Sequence, residues 1–142
     1  MRAAAELKKT ATHDDLNDPR TRAELSAPLV SLFFKLAARW GLSVAEQCTL
    51  LGGIARQTLN NWSHGNVGKL NRDQVERLSL ALGIHKGLRL VFADDDTALR
   101  WLAAPNADAP FFGLSPKALA LSGGIRDLVE VRRYLDAWRG VR

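Results

Sequence analysis

Cysteine is almost missing from this chain. Cys48 is the one thiol in 142 residues, so no internal disulfide can form and the sequence suits a reducing compartment. Long apolar runs are missing too. The opening MRAAAELKKTATHDDLND lacks the core of about 7 to 15 apolar residues that an export signal needs, and no stretch reaches the roughly 20 of a membrane span. A cytoplasmic protein away from the membrane is expected. His13, His64 and His85 have no second ligand at metal spacing, which argues against a zinc site. No Ser/His/Asp order, phosphate-cradling glycine loop or catalytic carboxylate pair stands out, so neither an enzyme nor a cofactor is expected. The acidic run Asp94 to Asp96 is explained more cheaply as a helix start than as a cation site. Strand-like alternation and repeats of about 20 to 50 residues are absent as well, which leaves an all-α fold and excludes a solenoid.

What is present is an ordinary globular balance, 46% hydrophobic and 25% charged, enough to build a core in one or two small modules without staples. The charge is unevenly placed. Residues 1–27 hold five basic and five acidic side chains and residues 93–142 hold seven of each, so residues 28–92, with 8 − 3 = +5, carry the whole net charge. A basic middle between neutral flanks points to a polyanion partner there, with a plainly solvated basic surface as the alternative.

These shifts divide the chain into an N-terminal arm at 1–27, a basic helical module at 28–92 and a neutral helical module at 93–142. The cluster from Asp14 to Pro19 reads as loop. From Pro28, the positions Leu29, Leu32, Phe33, Leu36 and Trp40 recur at helical spacing and Gly41 ends the run. Ser43 and Glu46 form a capping box ahead of a short helix with Val44, Cys48 and Leu51 on one face, stopped by Gly52 and Gly53. A second short helix, Ile54 to Ser63, follows with Ile54, Leu59 and Trp62 as its apolar side, and two short helices across a glycine turn make a helix-turn-helix. Asn71 and Gln74 cap a supporting helix that Gly83 is expected to close, with a further helix from Ile84 to Phe92. Asp94 to Asp96 begin the next helix, which stops at Pro105. Ser115-Pro116 starts a short one, and Ile125 to about Arg139 forms the last.

The helix-turn-helix carries the functional reading. Base edges are read by Arg for guanine, Asn or Gln for adenine, and Thr for methyls or phosphates. Arg56, Gln57, Thr58, Asn60 and Asn61 lie opposite the apolar side of the second short helix, and its first turns would enter deepest into a major groove. Uncharged amides in place of the usual Glu and Lys favour groove reading over a plain solvent face. Lys35, Arg39, Lys69 and Arg72 are open to two readings, phosphate contact or ordinary surface charge. A homodimer on double-stranded operator DNA, with half-sites about 34 to 36 Å apart or a multiple of that, is expected of this shape.

The run RWLAAPNADAPFFGLSPKALALSGGIRDLVEVRRYLDAWRG resembles the toxin-binding domain of the MbcA/ParS/Xre antitoxin family. Its elements fall on Trp101, Leu102, Pro105 and Asn106, then Phe111, Gly113, Ser115 and Pro116. Leu119, Gly123, Val131, Tyr134 and Leu135 complete the pattern. With LNRDQVERLSLALGIHKGLRLVF upstream, the likeness covers residues 28–142. It implies a type II antitoxin that neutralises a RES-domain toxin acting on NAD and represses its own operon. It also implies that the last helix faces the mouth of the toxin's active site, a role that falls by position on Tyr134, Trp138, Arg139 and Arg142. Tyr134 and Trp138 have a second reading, that they close a small core; Arg139 and Arg142 form a cationic end suited to a pyrophosphate pocket. Two residues depart from the family pattern: Ala55 stands where a capping Ser or Thr is usual, and Gly87 where similar proteins carry Ala. The other function considered is a stand-alone helix-turn-helix transcriptional regulator whose C-terminal part senses a ligand or dimerises.

Overall fold

The computed structural model describes residues 17–140. Seven helices and no strand occur among them. They are α1 (Pro19–Trp40), α2 (Val44–Leu50), α3 (Arg56–Ser63), α4 (Arg72–Val91), α5 (Asp95–Ala103), α6 (Pro116–Ala120) and α7 (Ile125–Trp138). The chain divides into two compact units, Met1–Ser79 and Leu80–Arg142, with the division inside α4.

In the first unit, α1 begins nine residues earlier than the apolar periodicity predicts, at Pro19 rather than Pro28. Asp18 is the cause. Its Oδ1 accepts from the Arg20 amide at 3.1 Å and its Oδ2 from the Thr21 hydroxyl at 3.0 Å, while Pro19 at the first helical position has no amide to satisfy. These bonds to the charged form hold the Asp18 carboxyl below the usual carboxylate range. Pro28 then sits inside the helix, where it removes only the bond to the Glu24 carbonyl, on an exposed residue that water reaches. Leu25, Leu29, Val30, Phe33, Leu36 and Trp40 are buried along one side, the stripe expected of a core-facing helix. The backbone amides of Gly41 and Leu42 close the far end on the carbonyls of Ala38 and Ala37.

Ser26 is fully buried. Its hydroxyl donates to the Arg22 carbonyl at 2.6 Å and accepts from the Leu70 amide at 3.0 Å. An otherwise orphaned amide ahead of α4 is thereby satisfied by the early turns of α1. The helix α2 keeps its predicted capping box, Glu46 amide to Ser43 Oγ at 3.1 Å and Ser43 amide to Glu46 Oε1 at 2.9 Å. Of the three residues expected to share its inner face, Cys48 and Leu51 are buried, but Val44 is 44% exposed, since at the first position of the helix it precedes the turn that meets the core. Helices α2 and α3 pack on one another, as do α1 and α3. Between α2 and α3, Gly52 and Gly53 both hold positive φ, 89° and 85°, a pair that side-chain-bearing residues adopt only under strain. The Arg77 guanidinium, bonded to Asp73 Oδ2 at 2.8 Å, lies where a Cβ on Gly52 would stand.

The expected stop at Gly83 is overturned: α4 runs unbroken from Arg72 to Val91, through both Gly83 and Gly87. Its start follows the predicted box, with the Gln74 amide on Asn71 Oδ1 at 2.8 Å and the Asn71 amide on Gln74 Oε1 at 3.0 Å. In the second unit the reason for the glycines becomes visible. A Cβ on Gly83 would lie 2.6 Å from Arg132 Nη1, and one on Gly87 3.3 Å from Leu135. These two positions let α7 approach the α4 backbone closely, and the contact holds together a helix that two glycines weaken by about 1 kcal/mol each. Helix α6 packs on both α5 and α7. The core here is Ile84, Leu88, Leu102, Phe111, Leu128, Val131 and Leu135, each no more than 1% exposed. Asp94 caps α5 through the Thr97 amide at 2.8 Å, and Ser115 caps α6 through Ala118 at 3.0 Å with Pro116 at the first helical position.

Candidate functional site

Two surfaces answer the two sequence-derived sets of residues. The first is the outer face of α3. The helix starts at Arg56 rather than Ile54, because Ala55 holds extended backbone at the N-cap, φ −68° and ψ 149°, without a side-chain cap, and Ile54 stays outside the helix, half-buried. Leu59 and Trp62 turn inward, each 5% exposed. Arg56, Gln57, Asn60 and Asn61 are exposed, and Thr58 is half-buried at the edge of the same face. Four of the five sequence-derived residues are thus exposed, and the fifth, Thr58, is half-buried.

Gln57 Nε2 donates to Asn61 Oδ1 at 3.0 Å, one turn apart. The bond leaves the Gln57 carbonyl oxygen and the Asn61 amino group as the remaining acceptor and donor of the pair. The far end of α3 is tied down by its own residues: Asn60 O accepts from the Ser63 hydroxyl at 2.6 Å and lies 2.8 Å from His64 Nδ1. A carbonyl only accepts, so Nδ1 carries the proton in that contact, and His64 acts as a helix-end residue. At the near end, the amides of the first turn meet no side-chain cap, in contrast with α2 and α4. Exposed first-turn amides beside Arg56 are a favourable place for a phosphate oxygen.

The four candidate phosphate contacts separate. Lys35, Arg39 and Lys69 are exposed. Arg72 is half-buried, paired with Glu76 Oε1 at 2.9 Å and bonded through Nη1 to Asn17 Oδ1, so its guanidinium already has intramolecular work.

The second surface lies in the C-terminal unit. Trp101 is the hub of five rings. Its centroid lies 5.7 Å from Phe92, 5.9 Å from Phe111, 5.8 Å from Tyr134 in a stacked arrangement, and 5.9 Å from Trp138. Phe111 meets Tyr134 edge-on at 4.9 Å. These distances fall in the range where ring pairs add to simple burial. Tyr134 is thus a member of the small core, and its hydroxyl donates to Asp108 Oδ2 at 2.8 Å. That carboxylate holds the phenolic proton past the ordinary tyrosine range, burial adding to the effect and a bond with Asn106 opposing it. Trp138 is in both worlds: its ring touches Phe92, Trp101 and Tyr134, yet the residue is 51% exposed. Arg139 is half-buried at the end of α7, and Arg142 lies outside the described residues.

One residue escaped the sequence reading. Phe112, next to buried Phe111, is 79% exposed, and the only hint was two adjacent aromatics in one loop. Among the described residues no cluster of His, Cys, Asp and Glu is arranged to hold a metal ion, and no helix is long and apolar enough to cross a membrane.

Comparison with known proteins agrees with this division. Residues 19–83 match the antitoxin Xre-like helix-turn-helix domain, a match that begins where α1 begins. Residues 87–140 match the antitoxin Xre/MbcA/ParS C-terminal toxin-binding domain. A relative from Sinorhizobium fredii, "Uncharacterized protein y4oB", is 43% identical over 122 residues, spanning 85% of this chain and 88% of its own length. With the two domains in this order, the chain belongs to the Xre/MbcA/ParS family of helix-turn-helix antitoxins.

Proposed function

We propose that this protein is a cytoplasmic antitoxin that neutralises a RES-domain toxin acting on NAD and represses its own operon as a homodimer on operator DNA. Two binding surfaces serve it and no chemistry of its own is required. The observation that carries this reading is the pairing, in one chain, of an α3 face bearing Arg56 and fixed amides with a toxin-binding domain whose last helix ends in half-exposed Trp138 and the cation of Arg139. Tyr134 serves by orienting α7, and Trp138, Arg139 and Arg142 approach the toxin, where an arginine-rich end complements a pocket shaped for pyrophosphate. Arg56, Gln57 and Thr58 read bases, Asn60 and Asn61 extend the footprint, and Lys35, Arg39 and Lys69 add salt-sensitive phosphate attraction.

Co-expression tests it. A candidate cognate RES-domain toxin is expressed with either the full chain or a chain ending at Gly123, and growth and cellular NAD are followed. The full chain is expected to restore both, and the shortened one neither. Rescue by the shortened chain would remove α7 from the mechanism.

A further inference from the structure

The loop between α5 and α6 is held at every point except its tip. The Asn106 amide donates to the Leu114 carbonyl at 3.0 Å and the Gly113 amide returns to the Asn106 carbonyl at 2.8 Å, closing the loop at its base. Inside it, the Asp108 amide meets Asn106 Oδ1 at 2.9 Å, and the Phe111 and Phe112 amides both reach the Asp108 carbonyl. The Asp108 carboxylate is tied to Tyr134 and Phe111 is sunk into the ring cluster. Phe112 is left standing outward with φ 47°, the positive-φ residue other than glycine among the described residues.

For folding this is a poor choice of residue. A bulky side chain in the left-handed region is strained where Gly or Asn is not, and a ring 79% exposed gains almost nothing from burial. Leu114, two residues on, is also exposed, at 51%, without the strained backbone. Strain and hydration cost kept together at the tip of a well-braced loop are the marks of an intermolecular contact. A rigid aromatic with few rotamers is the type of side chain that dominates protein interfaces when it fills a pocket.

We propose that Phe112, seconded by Leu114, is an apolar anchor that seats in a hydrophobic pocket on the surface of the toxin, in addition to the contact made by the end of α7. The occupant is the toxin because the whole loop lies within the segment matched to the toxin-binding domain. The inference rests on the antitoxin reading above and extends its site.

The test uses the full chain and a purified candidate cognate RES-domain toxin, in calorimetric titration, with thermal melts of each variant. Phe112→Gly is expected to bind at least about 30-fold more weakly, while melting at or above the wild-type temperature because the left-handed strain is relieved. Phe112→Leu retains most of the affinity. Binding by Phe112→Gly within about twofold of wild type would overturn the inference. So would a large drop in its melting temperature, which would assign Phe112 to folding, or a changed oligomeric state at unchanged toxin affinity, which would assign it to a second copy of this chain. The wild-type titration separates the two claims: no binding there removes the antitoxin reading itself, whereas wild-type binding with an indifferent Phe112→Gly removes only the anchor.

Discussion

The two units present their surfaces by opposite means. On α3 the outward side chains are polar and are kept in place by one another, Gln57 against Asn61 and the helix end against Ser63 and His64. In the C-terminal unit the candidate contact residues Trp138 and Phe112 are aromatic, and they are held by what lies beneath them, Trp138 by the rings of Trp101 and Tyr134, and Phe112 by the braced loop. A hydrogen-bonding face on a short helix suits a partner with a fixed array of donors and acceptors, whereas an apolar face on a rigid base suits a partner with a pocket.

The sharpest way to break that contrast is the double substitution Arg56→Ala with Gln57→Ala. Each good base contact carries about 1–3 kcal/mol of discrimination, so specific operator binding should fall by at least about 100-fold in gel shifts. Toxin affinity and the melting temperature should stay as in the wild type. Loss of toxin binding in the same variant would mean that the two surfaces are not independent.

A smaller effect comes from Tyr134, the one tyrosine in the sequence, whose ionisation can be followed by tyrosinate absorbance without interference. Its folded pKa is raised above the unfolded value by Asp108 and burial, so the stability it contributes is fully present below the unfolded value of about 10 and is lost as pH rises through the higher folded value. The wild type should lose stability to denaturant across that alkaline window, and Tyr134→Phe should lack this loss while being weaker at neutral pH by about 1 kcal/mol. An absorbance titration at the ordinary tyrosine pKa would show that the Asp108 bond does not hold in solution.

The smallest expected effect separates two glycines of one helix. At Gly83 an added methyl meets only the movable end of Arg132, and at Gly87 it meets Leu135, which is fully buried. Gly83→Ala should therefore stabilise by about 0.5–1 kcal/mol through helix propensity. Gly87→Ala should gain less or lose, the propensity being offset by crowding in the core. Equal gains in chemical unfolding at both sites would contradict the close approach of α7 to α4.

Legibility in the sequence followed the range of the interaction. Local devices were readable: the boxes Ser43 with Glu46 and Asn71 with Gln74, the caps Asp94 and Ser115-Pro116, and the double-glycine turn all work within a few residues and stand where their letters place them. The outward set on α3 was readable for the same reason, since helical spacing alone separates it from Leu59 and Trp62. Asp18-Pro19 uses the same grammar as Ser115-Pro116, yet it is hidden in a run of Asp and Asn that looks like loop, and Pro28 imitates a helix start downstream. Gly83 resembles a helix end because its partner, Arg132, is forty-nine residues away in the chain. The orientation of Phe112 depends on the loop's own hydrogen bonds and on which neighbour the ring cluster claims, neither of which composition encodes.

The buried Ser26 hydroxyl has a practical corollary for anyone shortening this protein. A DNA-binding fragment begun at Pro28, where the apolar rhythm invites a cut, would strip Leu70 of its acceptor and uncover the side that Leu25 closes. What resembles a dispensable tether is the foundation of the module, and a minimal version has to keep everything from Asn17 onward.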